Sequence, residues 1–282
     1  MNEIRIQNGN LTLTGLRSGR SEAPAVLFLH GITSAADSWR ESMARLGDRF
    51  DCWALDFRGH GDAGRVSEPP LIADYASDAA AALRDIGRPA IVVGHSLGGI
   101  SAAHLAHERH PLVKALFLED PPLFLGDGAF ASTLYPQLFT MLRQAVAELQ
   151  AEKPSPERYL DFASNSPSPM GGRAADHTTP RQLASRAFSL ARFQPSVLDS
   201  AIDGRLFVGL DPNRPIVVPV TLLAANPTYG AAFLDGDAEN LLRYTPHAVV
   251  VPFPEVGHNV RGSKLSEGRF LDLLDSFASA NG

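Results

Sequence analysis

Residues 91–100 read Ile91-Val92-Val93-Gly94-His95-Ser96-Leu97-Gly98-Gly99-Ile100, and this stretch decides the fold. The first three residues make a short, continuous β-branched run, as in a parallel strand covered on both faces. From Ile100 to Arg109 the composition is helical, and His110-Pro111 stops it. Between the two lies the pattern Gly94-x-Ser96-x-Gly98, extended by Gly99. The reading is strand, sharp turn, helix, with a serine at the apex. A turn this tight crowds neighbouring chain, so side chains at 94 and 98 would clash. The turn lifts the Ser96 hydroxyl clear of the sheet, at a helix N-terminus.

Working outward, Val26–Leu29, Cys52–Leu55 and Ala115–Leu118 are apolar runs of the same kind. Helical stretches over Ser38–Leu46 and Asp74–Ile86 separate them, the second with Gly87 suited to its end. Ile4, Ile6, Leu11 and Leu13 alternate with polar residues around Asn8-Gly9, which predicts an N-terminal hairpin. Strand and helix at this spacing predict an α/β, mostly parallel, doubly wound sheet. From Pro121 to about Arg205 the order breaks. Helices are expected over Leu134–Glu152, Arg181–Phe193 and Val197–Asp203, with a Ser/Pro/Gly loop over Ser164–Gly172. The pattern resumes with strands at Ile216–Val218, Val220–Leu223 and Ala248–Val251, and helices at Glu239–Tyr244 and Glu267–Ala278. The division expected is a core in two parts, 1–121 and 206–282, interrupted by a helical cap, 122–205. Such an insertion covers the sheet edge where ligands bind.

Composition narrows the class. Of 282 residues, 44% are hydrophobic and 20% charged, as in ordinary globular proteins. Lys and Arg number 25 against 31 Asp and Glu, a formal charge of −6, which argues against a nucleic-acid or anionic-membrane surface. Cys52 is the single cysteine, so an internal disulfide and a Cys-rich zinc site are excluded. The first residues lack the basic and apolar regions of a signal peptide, and no apolar run approaches ~18 residues. The expectation is a cytoplasmic protein, monomer or homodimer, acting on a small molecule.

The chain resembles the α/β-hydrolase superfamily, in its lidded serine esterase/lactonase-like branch. The resemblance rests on His30-Gly31, Asp56-Phe57-Arg58-Gly59-His60-Gly61, Gly94-His95-Ser96-Leu97-Gly98-Gly99 and Gly257-His258-Asn259. It implies that Ser96 is the nucleophile and His258, last in chain order, its base. It also implies an oxyanion hole formed by the backbone N–H groups of Leu97 and Ile32. His30, His60 and His95 would brace loops. His30 and His95, with Trp39, Phe57, Phe124 and Phe139, are also candidates for the pocket wall. His177 lies in the cap and could face the same pocket.

The acid departs from the common pattern. The loop after Val220–Leu223, Ala224-Ala225-Asn226-Pro227-Thr228-Tyr229-Gly230, holds no carboxylate. The fourth parallel run instead ends in Glu119-Asp120, a placement that resembles haloalkane dehalogenases and zearalenone-lactonase-like enzymes. Asp120 is therefore the first candidate to orient His258. Side chains alternate along a strand, so Glu119 should face the other way and ranks second. Asp235 is a later alternative, more suited, like Asp237, to capping the following helix.

Serine at the elbow disfavours epoxide hydrolase and dehalogenase chemistry, which the family carries out with aspartate. No cofactor is implied, and no metal: no H-E-x-x-H or comparable cluster is present. The activity expected is cleavage of a carboxylic ester or lactone through an acyl-enzyme. The large apolar residues of the cap suggest a hydrophobic or aromatic substrate. Alternatives on the same triad are a C–C bond hydrolase, a hydroxynitrile lyase-like enzyme, a perhydrolase, and a ligand receptor of this fold.

Overall fold

A computed structural model of the protein describes residues 1–126 and 128–282. Among them, eight strands form one sheet: β1 (Asn2–Asn8), β2 (Leu11–Ser18), β3 (Ala25–Leu29), β4 (Asp51–Asp56), β5 (Ala90–His95), β6 (Val113–Glu119), β7 (Val220–Ala225) and β8 (Val249–Phe253). Their order is β1-β2-β4-β3-β5-β6-β7-β8. The hairpin β1–β2 is antiparallel and joins β4 antiparallel; every other pairing is parallel.

The continuous apolar runs are explained by burial on both faces. Along β3, Ala25, Leu27 and Leu29 enter one core while Val26 and Phe28 enter the other. Strand β6 splits the same way, Leu116 and Leu118 against Ala115 and Phe117. Helices α2 (Ile72–Ile86) and α3 (Leu97–His107) supply one face; α1 (Arg40–Leu46) and α10 (Glu267–Asn281) supply the other. Each large side chain so enclosed contributes roughly 2–3 kcal/mol.

Between β6 and β7 lie α4 (Tyr135–Ala151), α5 (Pro156–Asn165), α6 (Ala174–His177), α7 (Pro180–Arg192) and α8 (Asp199–Ile202). They have an apolar core of their own, with Val146 and Leu149, Tyr159 and Ala163, and Ala187 and Leu190 meeting Phe193, Val197 and Leu198. Helix α9 (Asp237–Tyr244) follows β7.

Three expectations need correction. Ile216–Val218 is not a strand. Pro215 and Pro219 flank it, each lacking the N–H a ladder needs, and Ile216 N–H instead reaches Thr245 Oγ1 at 3.1 Å. Helix α3 starts at Leu97, so Gly98 and Gly99 lie inside its first turn. Helix α5 was hidden behind Lys153-Pro154-Ser155-Pro156; Pro156 opens the helix at a position where its missing N–H costs nothing.

Candidate active site

Ser96 sits at the junction of β5 and α3 with φ +51° and ψ −113°, a strained conformation for a residue with a Cβ. Three glycines make room for it. A Cβ on Gly98 would lie 2.1 Å from Leu29 O, and one on Gly94 would lie 2.5 Å from Gly98 O. A Cβ on Gly31 would stand 2.6 Å from His95 Nδ1 and 3.3 Å from Ser96 Cβ. The backbone of Gly31-Ile32 is thereby held against the serine. Leu97 is the first residue of α3, where an N–H has no partner within the helix. Among the described residues, the Ile32 N–H likewise reaches no backbone acceptor.

His258 and Asp120 meet. His258 Nδ1 lies 2.6 Å from Asp120 Oδ2. Asp120 is fully buried, just past β6, with φ +43°. Its carboxylate accepts from the backbone N–H groups of Ala232 at 2.7 Å, Phe233 at 3.2 Å and Ala225 at 3.4 Å. That bond fixes the imidazole with its proton on Nδ1 and leaves Nε2 as the basic atom. Among the described residues Nε2 has no protein partner, and Ser96 lines the same cavity.

Glu119 faces away, as side-chain alternation requires. It accepts from Arg261 N–H at 2.8 Å and forms a buried ion pair with the Arg261 guanidinium, tying down the loop that carries His258. Asp235 is exposed in the turn before α9 and does not contact the imidazole. Asp237, beside it, accepts Leu234 N–H at 2.7 Å. Burial pushes its carboxyl up to about 6.

His30 and His60 are fully enclosed. His30 Nε2 accepts Phe57 N–H at 3.1 Å, and His60 Nε2 accepts Thr33 N–H at 3.2 Å. Burial holds both neutral, His30 well below its usual value and His60 at about 4. His95 donates from Nε2 to His258 O at 3.1 Å, and burial depresses it as well.

The cavity holding Ser96, His95 and His258 is about 280 Å³. Phe139 lines it; His30, Trp39, Phe57 and Phe124 do not. Trp39 is fully buried, packed on Phe28 and under the Arg261 guanidinium at 4.1 Å. His30 lies behind the loop that it braces, with its ring beside Phe57. Phe57 packs on Tyr75, and Phe124 turns to Phe233. His177 lies instead on a neighbouring groove that reaches the other side of His258, with Nε2 near Gly171 O.

The wall is also more polar than the cap composition suggests. Gln182, Ser185 and Arg186 of α7 line it together with Asn259 and Arg261, and the apolar part is Ile32, Phe139 and Leu142. Sequence reading overlooked these polar residues, because on α7 they look like any solvated helical face. Tyr135 joins the wall, donating to Gly230 O at 2.8 Å with its ring edge-on to His258.

Such a sheet with a serine elbow and a histidine after the last strand defines a class of fold, and the sequence comparisons agree. The chain belongs to the alpha/beta hydrolase family, which it matches over residues 26–263. It is 38% identical over 117 residues to the 2-(acetamidomethylene)succinate hydrolase of Mesorhizobium japonicum, covering 41% of either chain. It is 32% identical over 158 residues to the N-formylmaleamate deformylase of Pseudomonas putida, covering 52% of this chain and 57% of that one. The chain thus spans about half the length of these curated relatives. Among solved structures, the enol-lactonase of Burkholderia xenovorans superposes with a TM-score of 0.73 at 16% identity, over 98% of this chain and 100% of that one. The likeness to that structure is one of fold alone. Among the described residues, no helix is long and apolar enough to cross a membrane.

Proposed function

We propose that the chain is a cytoplasmic serine hydrolase, monomeric or homodimeric, that cleaves a carboxylic ester or lactone of a small molecule. The observation that carries this reading is the 2.6 Å contact of His258 Nδ1 with the buried Asp120 carboxylate, beside an elbow serine in one cavity. Segment 122–205 is the cap in this reading, set between core parts 1–121 and 206–282. Ser96 Oγ attacks the acyl carbon as His258 Nε2 takes its proton. Asp120 stabilises the imidazolium. The oxyanion is held by the N–H groups of Ile32 and Leu97, each worth about 3 kcal/mol in such sites. His258 then protonates the leaving oxygen, which stays tethered if the substrate is a lactone. Water, deprotonated by His258, releases the acid and restores Ser96.

A second reading is cleavage of an N-acyl bond by the same steps, the leaving atom being nitrogen. The names of the two bacterial relatives favour it.

The test is labelling with a fluorophosphonate, followed by turnover of aryl esters, lactones and N-acyl compounds. Ser96→Ala should abolish labelling and lower kcat by at least about 10³-fold. Unimpaired turnover in that variant, or no labelling of the unmodified protein, overturns the proposal.

A further inference from the structure

Helix α7 carries three arginines, and their partners differ. Arg181 pairs with Glu41, and Arg192 lies 3.3 Å from Asp62. Arg186, between them, forms no ion pair among the described residues, although it lines the Ser96 cavity. Its Nη1 donates to Thr33 O at 2.9 Å and to Thr33 Oγ1. Nε and Nη2 make no hydrogen bond to protein among the described residues.

Among the described residues the surroundings offer no counter-charge. The described residues lining the cavity include no aspartate or glutamate. The other guanidinium there, Arg261, is already neutralised by Glu119. Burial with no compensating carboxylate pulls Arg186 down to about 10, still protonated at neutral pH. Next to it the buried Ser185 Oγ also lacks a partner among the described residues. A half-buried cation left without an ion-pair partner gains when an anion arrives to pair with it.

We infer that Arg186 is the anchor for a carboxylate on the substrate, received by its Nε–Nη2 edge as a bidentate pair and supported by Ser185 Oγ. The substrate class is thus an acyl compound bearing a second, ionised carboxylate, small enough for a 280 Å³ site at the compact end of ligand cavities. This rests on the hydrolase reading for the scissile bond alone; anion binding stands or falls by itself. Arg186 also grips the turn after Ile32, so a bound carboxylate would be registered against the N–H proposed for the oxyanion.

The experiment compares monomethyl glutarate with dimethyl glutarate, which differ by one charge. The unmodified protein should prefer the monoanion, and raising ionic strength should weaken that preference. Arg186→Met should cut kcat/KM for the monoanion at least about tenfold more than for the diester, chiefly through KM. Arg186→Lys should recover part of the loss. Equal losses for both esters would assign Arg186 to holding Thr33 and overturn the inference, as would no preference in the unmodified protein. Binding of monomethyl glutarate to Ser96→Ala by calorimetry, lost on adding Arg186→Met, reads the anion site without turnover. Binding with neither turnover nor fluorophosphonate labelling in the unmodified protein would defeat the hydrolase reading alone; no binding would defeat the anion site alone.

Discussion

Two adjacent acids at the end of β6 do different work, and their substitution should show it in turnover for one and in stability alone for the other. Asp120 receives three backbone N–H groups and His258 Nδ1. Asp120→Asn keeps the shape but presents an amide that favours the other imidazole tautomer. We expect kcat to fall by roughly 10³–10⁴-fold, with about 1–3 kcal/mol of stability lost where the new NH2 faces the Ala232 N–H. Glu119 and Arg261 form a buried ion pair. Removing one partner from such a pair costs about 3–5 kcal/mol. Glu119→Ala should therefore lower unfolding stability by that amount in urea titration, while Glu119→Gln retains part of it. If Asp120→Asn kept full turnover, the role proposed for Asp120 would be wrong.

At the scale of elements, the turn from β5 into α3 was legible because its glycines answer to local geometry. Gly98→Ala would drive a Cβ into Leu29 O, a backbone atom with little freedom to retreat. A loss of about 3 kcal/mol or more, or failure to fold, is expected. Gly268 in α10 has open space around its missing Cβ, and Gly268→Ala should add about 0.5–1 kcal/mol. Thermal unfolding of the two variants checks both signs. The strands were readable for a similar reason: two-sided burial demands continuous apolar runs. Asp120 was readable from its place at a strand end, but the N–H groups that hold it belong to residues 225–233, remote in sequence. Arg186 was not readable at all. Arg181, Arg186 and Arg192 are alike in sequence, and only packing decides that Glu41 and Asp62 meet two of them. Trp39 and Phe57, expected in the pocket wall, belong to the core, since sequence does not distinguish an aromatic that lines a cavity from one that fills the interior.

For the whole molecule, buried neutral histidines couple folding to pH. His107 on α3 is buried, with no partner for Nδ1 among the described residues, and burial depresses it from 6.5 to about 4. Its unfolded form takes up a proton below about 6.5 while the folded form resists until about 4. Stability is therefore present above pH 6.5 and lost as pH falls through that window. His107→Gln removes this dependence, so relative to the unmodified protein the variant should gain about 2 kcal/mol between pH 7 and pH 4.5 in urea unfolding. His30, His60 and His95 push in the same direction.

The helical layer over the sheet is stitched to it along the whole of α7 and beyond. Gln182 Nε2 reaches Ser38 O, Arg186 reaches Thr33, Gln194 brackets the backbone of Val66 and Ser200 holds Pro70 O. The layer is therefore not a cassette that can be cut out at its two chain ends. A chimera that borrows segment 122–205 from a homologue has to keep hydrogen-bonding side chains at 182, 186, 194 and 200, because the groups they meet at 33, 38, 66 and 70 are main-chain atoms that any core sequence presents.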